Sequence, residues 1–175
     1  NQGANVTLVS GPVTLKPPHN VNLVQVESAE EMYNAVMDVF AEQDLIIKTA
    51  AVADYRPKIV HDQKMKKKDG ALSIELERTK DILKELGQRK DNQVLVGFAA
   101  ETENVEYYAK SKLVNKNADM IVANNVAAKG AGFASDTNAV TMYKKDGTSI
   151  DVPMMSKQEV AKRIIAESAS MLTKD

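Results

Sequence analysis

The chain has no cysteine and no tryptophan, and only three phenylalanines and two histidines in 175 residues. Without cysteine there is no disulfide, no thiolate nucleophile and no thiolate metal site. His19 and His61 are too few and too far apart in sequence for a histidine-rich metal centre. No apolar run approaches the roughly 20 residues that span a bilayer. The opening Asn1-Gln2-Gly3-Ala4-Asn5 has neither the basic start nor the apolar stretch of a signal peptide. A soluble, cytoplasmic protein that does not engage membranes is therefore the expectation. Charge of one sign is lacking too: 23 basic residues stand against 24 acidic ones. No overall field steers the chain towards nucleic acid. The lysine run at Lys64, Lys66, Lys67 and Lys68 comes with too few aromatics, and no recognisable motif, for a nucleic-acid surface. The length suits a single domain, 1–175, with a real core.

What is present is an alternation of strand and helix signals. Asn5 to Val9 is a short strand signal ending at Ser10-Gly11-Pro12, and Val21 to Val26 is a second. Ser28-Ala29-Glu30-Glu31 forms a capping box. It opens a helix with Met32, Ala35, Val36, Val39 and Phe40 at helical spacing. Leu45 to Thr49 is an apolar strand. Strand, helix and strand in succession predict a right-handed parallel crossover. Lys64 to Lys68, Asp69-Gly70 and Ala71 to Leu76 predict a hairpin extension, 64–76, with a type I′ turn. Leu72, Ile74 and Leu76 would share one face of it, and something must cover that face. The α/β rhythm then resumes. A helix runs from Asp81 to Leu86, with Gly87 as its stop. A strand runs from Val94 to Ala99, and a helix capped by Thr102 runs towards Lys116. A strand at Met120 to Ala123 follows. A hairpin turns at Asp146-Gly147, between strands at Ala139 to Tyr143 and Thr148 to Val152. Ser156-Lys157-Gln158-Glu159 caps a last helix that buries Val160, Ile164 and Met171. The predicted fold is α/β, three-layered, with a mostly parallel sheet of Rossmann-like or ribokinase-like kind.

Three strand ends carry residues suited to chemistry. After Leu45–Ile47 the chain empties into Thr49-Ala50-Ala51-Val52-Ala53-Asp54-Tyr55-Arg56-Pro57. There small residues let backbone approach a ligand, one carboxylate follows, and the lysine run comes next. In open α/β sheets the ligand crevice lies beyond the carboxyl ends of the strands. Small residues, Asp54 and a set of cations there suit a phosphorylated ligand with a divalent metal. A close-packed strand end followed by a solvated lysine face fits the same letters. The second end is Gly97-Phe98-Ala99-Ala100-Glu101-Thr102. Gly97, Ala99 and Ala100 leave room for a flat group, and Phe98 either stacks on a base or sits in the core. The third is Ala123-Asn124-Asn125, whose amides either bond a base or carboxylate or satisfy a turn. If the strands are parallel, all three ends lie on one edge. Gly130-Ala131-Gly132-Phe133-Ala134-Ser135 fails as a dinucleotide fingerprint. Its third glycine is missing, and a strand pattern follows it rather than a helix. That disfavours a nicotinamide-dependent reductase.

Taken in order, Gly3 to Pro12, Ala50 to Tyr55, Lys64-Met65-Lys66-Lys67, Gly97 to Thr102 and Ala123 to Asn125 resemble bacterial phosphopantothenoylcysteine synthetase along essentially the whole chain. That domain is commonly the C-terminal half of a bifunctional coenzyme A biosynthesis protein, fused to a flavin-dependent decarboxylase. The resemblance implies a ligase that uses CTP and Mg2+ to activate the carboxylate of 4′-phosphopantothenate as an acyl-cytidylate, on which the cysteine amine then acts. It implies a homodimer. It matches Lys64 to the family's catalytic lysine, and Ala50, Ala51, Asp54 and Tyr55 to its nucleotide loop, with Asp54 towards the metal. It matches Asp81 and Phe98, Ala99, Ala100 and Glu101 to further nucleotide-pocket positions. The family often has Asn-Pro-Asp-Ile where this chain has Thr79-Lys80-Asp81-Ile82. The family also begins with a further strand, a phosphate loop and a helix, so a truncated synthetase domain with little activity of its own is expected. The rival reading is a non-catalytic nucleotide-binding or interaction domain on the same sheet.

Overall fold

A computed structural model describes residues 3–66, 70–125 and 135–172. Lys67, Lys68 and Asp69 of the basic run and turn, and 130–134 of the rejected fingerprint, lie outside the described residues. The chain divides into two compact units, Asn1–Val36 with Ala50–Asp81, and Met37–Thr49 with Ile82–Asp175.

In the first unit β1 (Thr7–Ser10) and β2 (Asn22–Gln25) pair in parallel, from Thr7↔Asn22 to Ser10↔Gln25. The capping box forms as expected at the start of α1 (Ala29–Phe40). The Glu31 amide donates to Ser28 Oγ at 3.1 Å, and Glu31 Oε2 accepts from the Ser28 amide at 3.3 Å and from the Glu27 amide at 2.7 Å. These bonds satisfy donors that a helix start leaves open. They also hold the Glu31 carboxyl below its ordinary 4.5.

The hairpin forms in a different place from the expected one. β4 (Tyr55–Pro57) pairs antiparallel with β5 (Leu76–Arg78), and 64–66 and 70–75 are not strand. Cross-strand ion pairs accompany this register. Arg56 Nε donates to Glu77 Oε1 at 2.8 Å, and Lys58 Nζ to Glu75 Oε1 at 2.7 Å. Opposite charges facing across a pair stabilise it, and the Arg56↔Glu77 register is such a case. The predicted crossover from β2 to β3 is also revised, because the two strands belong to separate sheets.

The second unit is built on a five-stranded sheet in the order β3-β6-β7-β8-β9. Its strands are β3 (Leu45–Lys48), β6 (Val94–Glu101), β7 (Met120–Asn125), β8 (Thr137–Lys144) and β9 (Ser149–Ser156). β3, β6 and β7 are parallel, β8 is antiparallel to β7, and β9 antiparallel to β8. Four of the five strands therefore run one way, and the mostly parallel sheet is as predicted. The β8–β9 hairpin turns at Asp146-Gly147, where Gly147 has φ 88° and Asp146 Oδ1 accepts from the Thr148 amide at 2.9 Å.

Side chains alternate across a strand, and the two faces are covered differently. Val94, Val96, Met120, Val122, Val140, Met142 and Val152 pack with Val160 and Ile164 of α4 (Lys157–Leu172). Each such side chain taken fully from water contributes about 1.5–3 kcal/mol. The other face carries Gly97, where a Cβ would meet Leu83 of α2 (Ile82–Arg89). β3, β6 and β7 lie side by side in one direction, so right-handed crossovers place α2 and α3 (Val105–Asn115) on that same face. Helix, sheet and helix are the three layers. Gly87 is not the end of α2 but lies inside it, buried where a Cβ would come 1.8 Å from the Lys116 carbonyl oxygen. The residue before α3 is Asn104, left-handed at φ 49°, rather than Thr102.

Candidate functional site

In the second unit the parallel strands bring their carboxyl ends to one edge. The β6–β7 register runs through Phe98↔Val122, Ala99↔Ala123, Ala100↔Asn124 and Glu101↔Asn125. β3 pairs no further than Lys48↔Gly97, so from Phe98 onwards β6 keeps a strand neighbour only on its β7 side. A shelf is left there. Phe98 is half-buried and packs against the α4-side core, Ala99 is buried, Ala100 is exposed and Glu101 is half-buried. The expected second and third strand ends thus meet residue by residue. The Phe98 carbonyl oxygen accepts from Lys112 Nζ of α3 at 3.0 Å. This cation was not singled out from the sequence. Its only signal there is a place next to Leu113 on a helix of mixed apolar and charged residues. α3 also begins at this edge, and the open amides of a helix start favour anions.

In the first unit the Ala50–Tyr55 loop is pinned from one side. Thr79 Oγ1 donates to the Ala53 carbonyl at 2.6 Å, and the Thr79 amide to the Asp54 carbonyl at 3.0 Å. Thr79 stands two residues before Asp81, so these bonds draw Asp54 and the Asp81 segment together. Thr79, like Lys112, was not singled out; a hydroxyl residue where the family often has asparagine was the available signal. Lys80 Nζ lies 4.2 Å from the Tyr33 ring centroid and ties the same segment to α1 by a cation–π contact. Arg78 lies 5.8 Å from the centroid of the half-exposed Tyr55 ring. Arg56 joins Glu30 as well as Glu77, and the bond to Arg56 holds the Glu30 carboxyl below its ordinary 4.5. Ala50, Ala51 and Asp54 are exposed. Lys64 is exposed on the excursion between β4 and β5, and makes no ion pair among the described residues.

Among the described residues no three histidine or acidic groups cluster to hold a metal. A single exposed carboxylate such as Asp54 suits a magnesium ion carried in by phosphates, because that ion keeps water and phosphate oxygens as its other ligands. Among the described residues no helix is long and apolar enough to cross a membrane.

Residues 1–171 match the family model described as the DNA/pantothenate metabolism flavoprotein C-terminal domain. The chain is 54% identical over 170 residues to the coenzyme A biosynthesis bifunctional protein CoaBC of Bacillus subtilis (strain 168), covering 97% of this chain and 42% of that protein. It therefore spans well under half the length of this relative. The crystal structure of the C-terminal domain of a coenzyme A biosynthesis bifunctional protein CoaBC superposes with a TM-score of 0.83 at 53% identity, covering 99% of this chain and 77% of that one. The DNA/pantothenate metabolism flavoprotein from Streptococcus pneumoniae shares the fold, with a TM-score of 0.76 at 17% identity over 96% of this chain and 82% of that one. The mixed α/β fold, the carboxyl-edge shelf and these matches agree, and the chain belongs to the family of DNA/pantothenate metabolism flavoprotein C-terminal domains.

Proposed function

We propose that this chain is the ligase part of coenzyme A biosynthesis, joining 4′-phosphopantothenate to cysteine at the expense of CTP. The observation that carries the reading is the 54% identity to a CoaBC protein over 97% of the chain. In the first step a carboxylate oxygen of 4′-phosphopantothenate attacks the α-phosphorus of CTP, and the bond to pyrophosphate breaks. In the second the cysteine amine attacks the acyl carbon, an amide forms and CMP leaves.

Each residue has a role in this reading. Phe98 offers its ring face to the base beside the space left by exposed Ala100, and Ala99 lets the β6 main chain approach the nucleotide. Glu101 closes the end of that shelf. Ala50 and Ala51 let backbone approach the nucleotide, with Tyr55 at the loop's end. Asp54 would hold Mg2+, and Asp81 stands beside that loop through Thr79. Lys64 stabilises the negative charge that builds on the transferring phosphoryl group. Mg2+, when bound, neutralises phosphate charge.

The excursion between β4 and β5 leaves Leu72 at 69% and Ile74 at 63% exposure. A second copy of the chain covers them in a homodimer. A flavin-dependent decarboxylase on the same polypeptide supplies the bifunctional context, and the setting is cytoplasmic.

The test replaces Lys64 with Gln in the complete polypeptide that carries this chain, with Lys66→Gln as control. Turnover at saturating CTP should fall by about 10²–10³-fold in the first, the scale for removing one transition-state donor, and little in the second. Equal losses would leave a general basic patch and overturn the role of Lys64. Nucleotide binding without ligation would support a non-catalytic nucleotide-binding domain instead.

A further inference from the structure

The α4-side face of the sheet continues beyond the shelf onto β8. On β6 this face carries Phe98 and then Ala100, on β7 Val122 and then Asn124, and on β8 Met142, Val140 and then Asn138. The β7–β8 register ends at Ala123↔Thr141. One further step sets Asn124 beside Val140, and Asn138 is then its diagonal neighbour, about 7–8 Å away.

A bulge marks this spot. Between Asn138↔Met155 and Val140↔Val152, β8 advances two residues and β9 three. The extra residue is on β9, so β8 keeps its alternation and Asn138 stays on the face. Bulges recur beside functional sites, where they re-aim side chains. Asn138 is half-buried, and its Oδ1 accepts from the Ala139 amide at 3.0 Å. That fixes which end of the carboxamide is occupied and leaves its two N–H donors. Asn124, also half-buried, makes no side-chain hydrogen bond among the described residues.

We infer that Asn124 and Asn138 are the specificity-determining pair that reads the polar edge of the nucleobase whose ring face lies on Phe98. The inference rests on the nucleotide reading above. Cytosine presents a carbonyl, a ring nitrogen and an amino group in a row; the first two accept from Asn138 Nδ2, and the amino group donates to the carboxamide oxygen of Asn124, which has no partner among the described residues. A purine's larger ring places its edge elsewhere.

Asn138→Asp separates the roles. Aspartate keeps the acceptor for the Ala139 amide and the side-chain size, but removes the two donors. In the complete polypeptide, calorimetric CTP affinity should fall about 10-fold or more relative to ATP affinity, the scale of one side-chain-to-base contact. The ratio matters because the added charge repels both triphosphates alike. Asn138→Ser gives a second, uncharged loss of the donors, with thermal unfolding to confirm the fold. Equal losses for CTP and ATP, no change for either, or a raised KM for 4′-phosphopantothenate alone would overturn the assignment. If the unaltered protein binds no nucleoside triphosphate, the nucleotide reading falls and takes this inference with it.

Discussion

Lys112 of α3 donates to the Phe98 carbonyl oxygen at 3.0 Å, just past the point where β3 stops pairing with β6. A strand that loses a neighbour exposes main-chain groups, and a lysine from the flanking helix holds one of them. The shelf from Phe98 to Glu101 is therefore stiffened by a side chain, with no strand on that side. Lys112→Met removes the donor and keeps most of the aliphatic stem. A hydrogen bond from a charged group is worth about 1.5–3 kcal/mol, so urea unfolding should show a loss near the lower end of that range. An unchanged midpoint would mean that the strand end stands without Lys112.

Two glycines make an ordered pair of predictions. A Cβ at Gly97 would lie 2.6 Å from Leu83 Cδ2 and 2.9 Å from Ile121 Cδ1, both ends of flexible side chains. Gly97→Ala should cost about 1–3 kcal/mol, as core overpacking does. A Cβ at Gly87 would lie 1.8 Å from a main-chain oxygen, which cannot rotate away. Gly87→Ala should be the more destabilising of the two by thermal unfolding. The reverse order would contradict the close approach of α2 to Lys116.

The two capping boxes give a pH signature. Glu31 accepts from the Glu27 and Ser28 amides, Glu159 from the Ser156 hydroxyl and amide, and both carboxyls are held below their ordinary 4.5. A pKa lower in the folded chain than in the unfolded one contributes stability that is complete above about 4.5 and is lost as pH falls through the folded value. Glu31→Gln combined with Glu159→Gln should therefore lower stability at neutral pH and flatten its decline as pH falls below the ordinary carboxyl value. A decline as steep as in the unaltered protein would place the acid sensitivity elsewhere.

Much of this was legible because its signals are local. Ser28 with Glu31, Ser156 with Glu159, and Asp146-Gly147 each need only neighbouring residues to act, and all three formed where expected. The parallel core strands were legible as apolar runs. The misplaced hairpin shows the limit. Asp69-Gly70 carries turn chemistry, but the strands that pair are held across by contacts such as Arg56 with Glu77, 21 residues apart, and no periodicity reports such a pair. Gly87 resembled a helix stop because glycine often is one. Its actual reason is the Lys116 main chain, which reaches it only through the fold. Of the candidate site, the small residues, Phe98 and Asn124 stand at strand ends, where the sequence alone directs attention. Lys112 and Thr79 act through partners that sequence spacing does not bring together.

The exposed apolar residues on the β4–β5 excursion lead to a prediction on assembly. Leu72→Asp with Ile74→Asp should convert a dimer to a monomer by light scattering, with the α/β core intact by circular dichroism. A dimer that survives both changes would put the interface on another surface.

The most direct test of the ligase reading is product stoichiometry. The complete polypeptide carrying this chain is incubated with CTP, Mg2+, 4′-phosphopantothenate and cysteine, and the mixture is resolved by mass spectrometry. The account predicts CMP and pyrophosphate in equal amounts, each matching the sum of phosphopantothenoylcysteine and its decarboxylated product, with an acyl-cytidylate that accumulates when cysteine is withheld. CDP and phosphate in place of CMP and pyrophosphate, or no amide product at all, would contradict it.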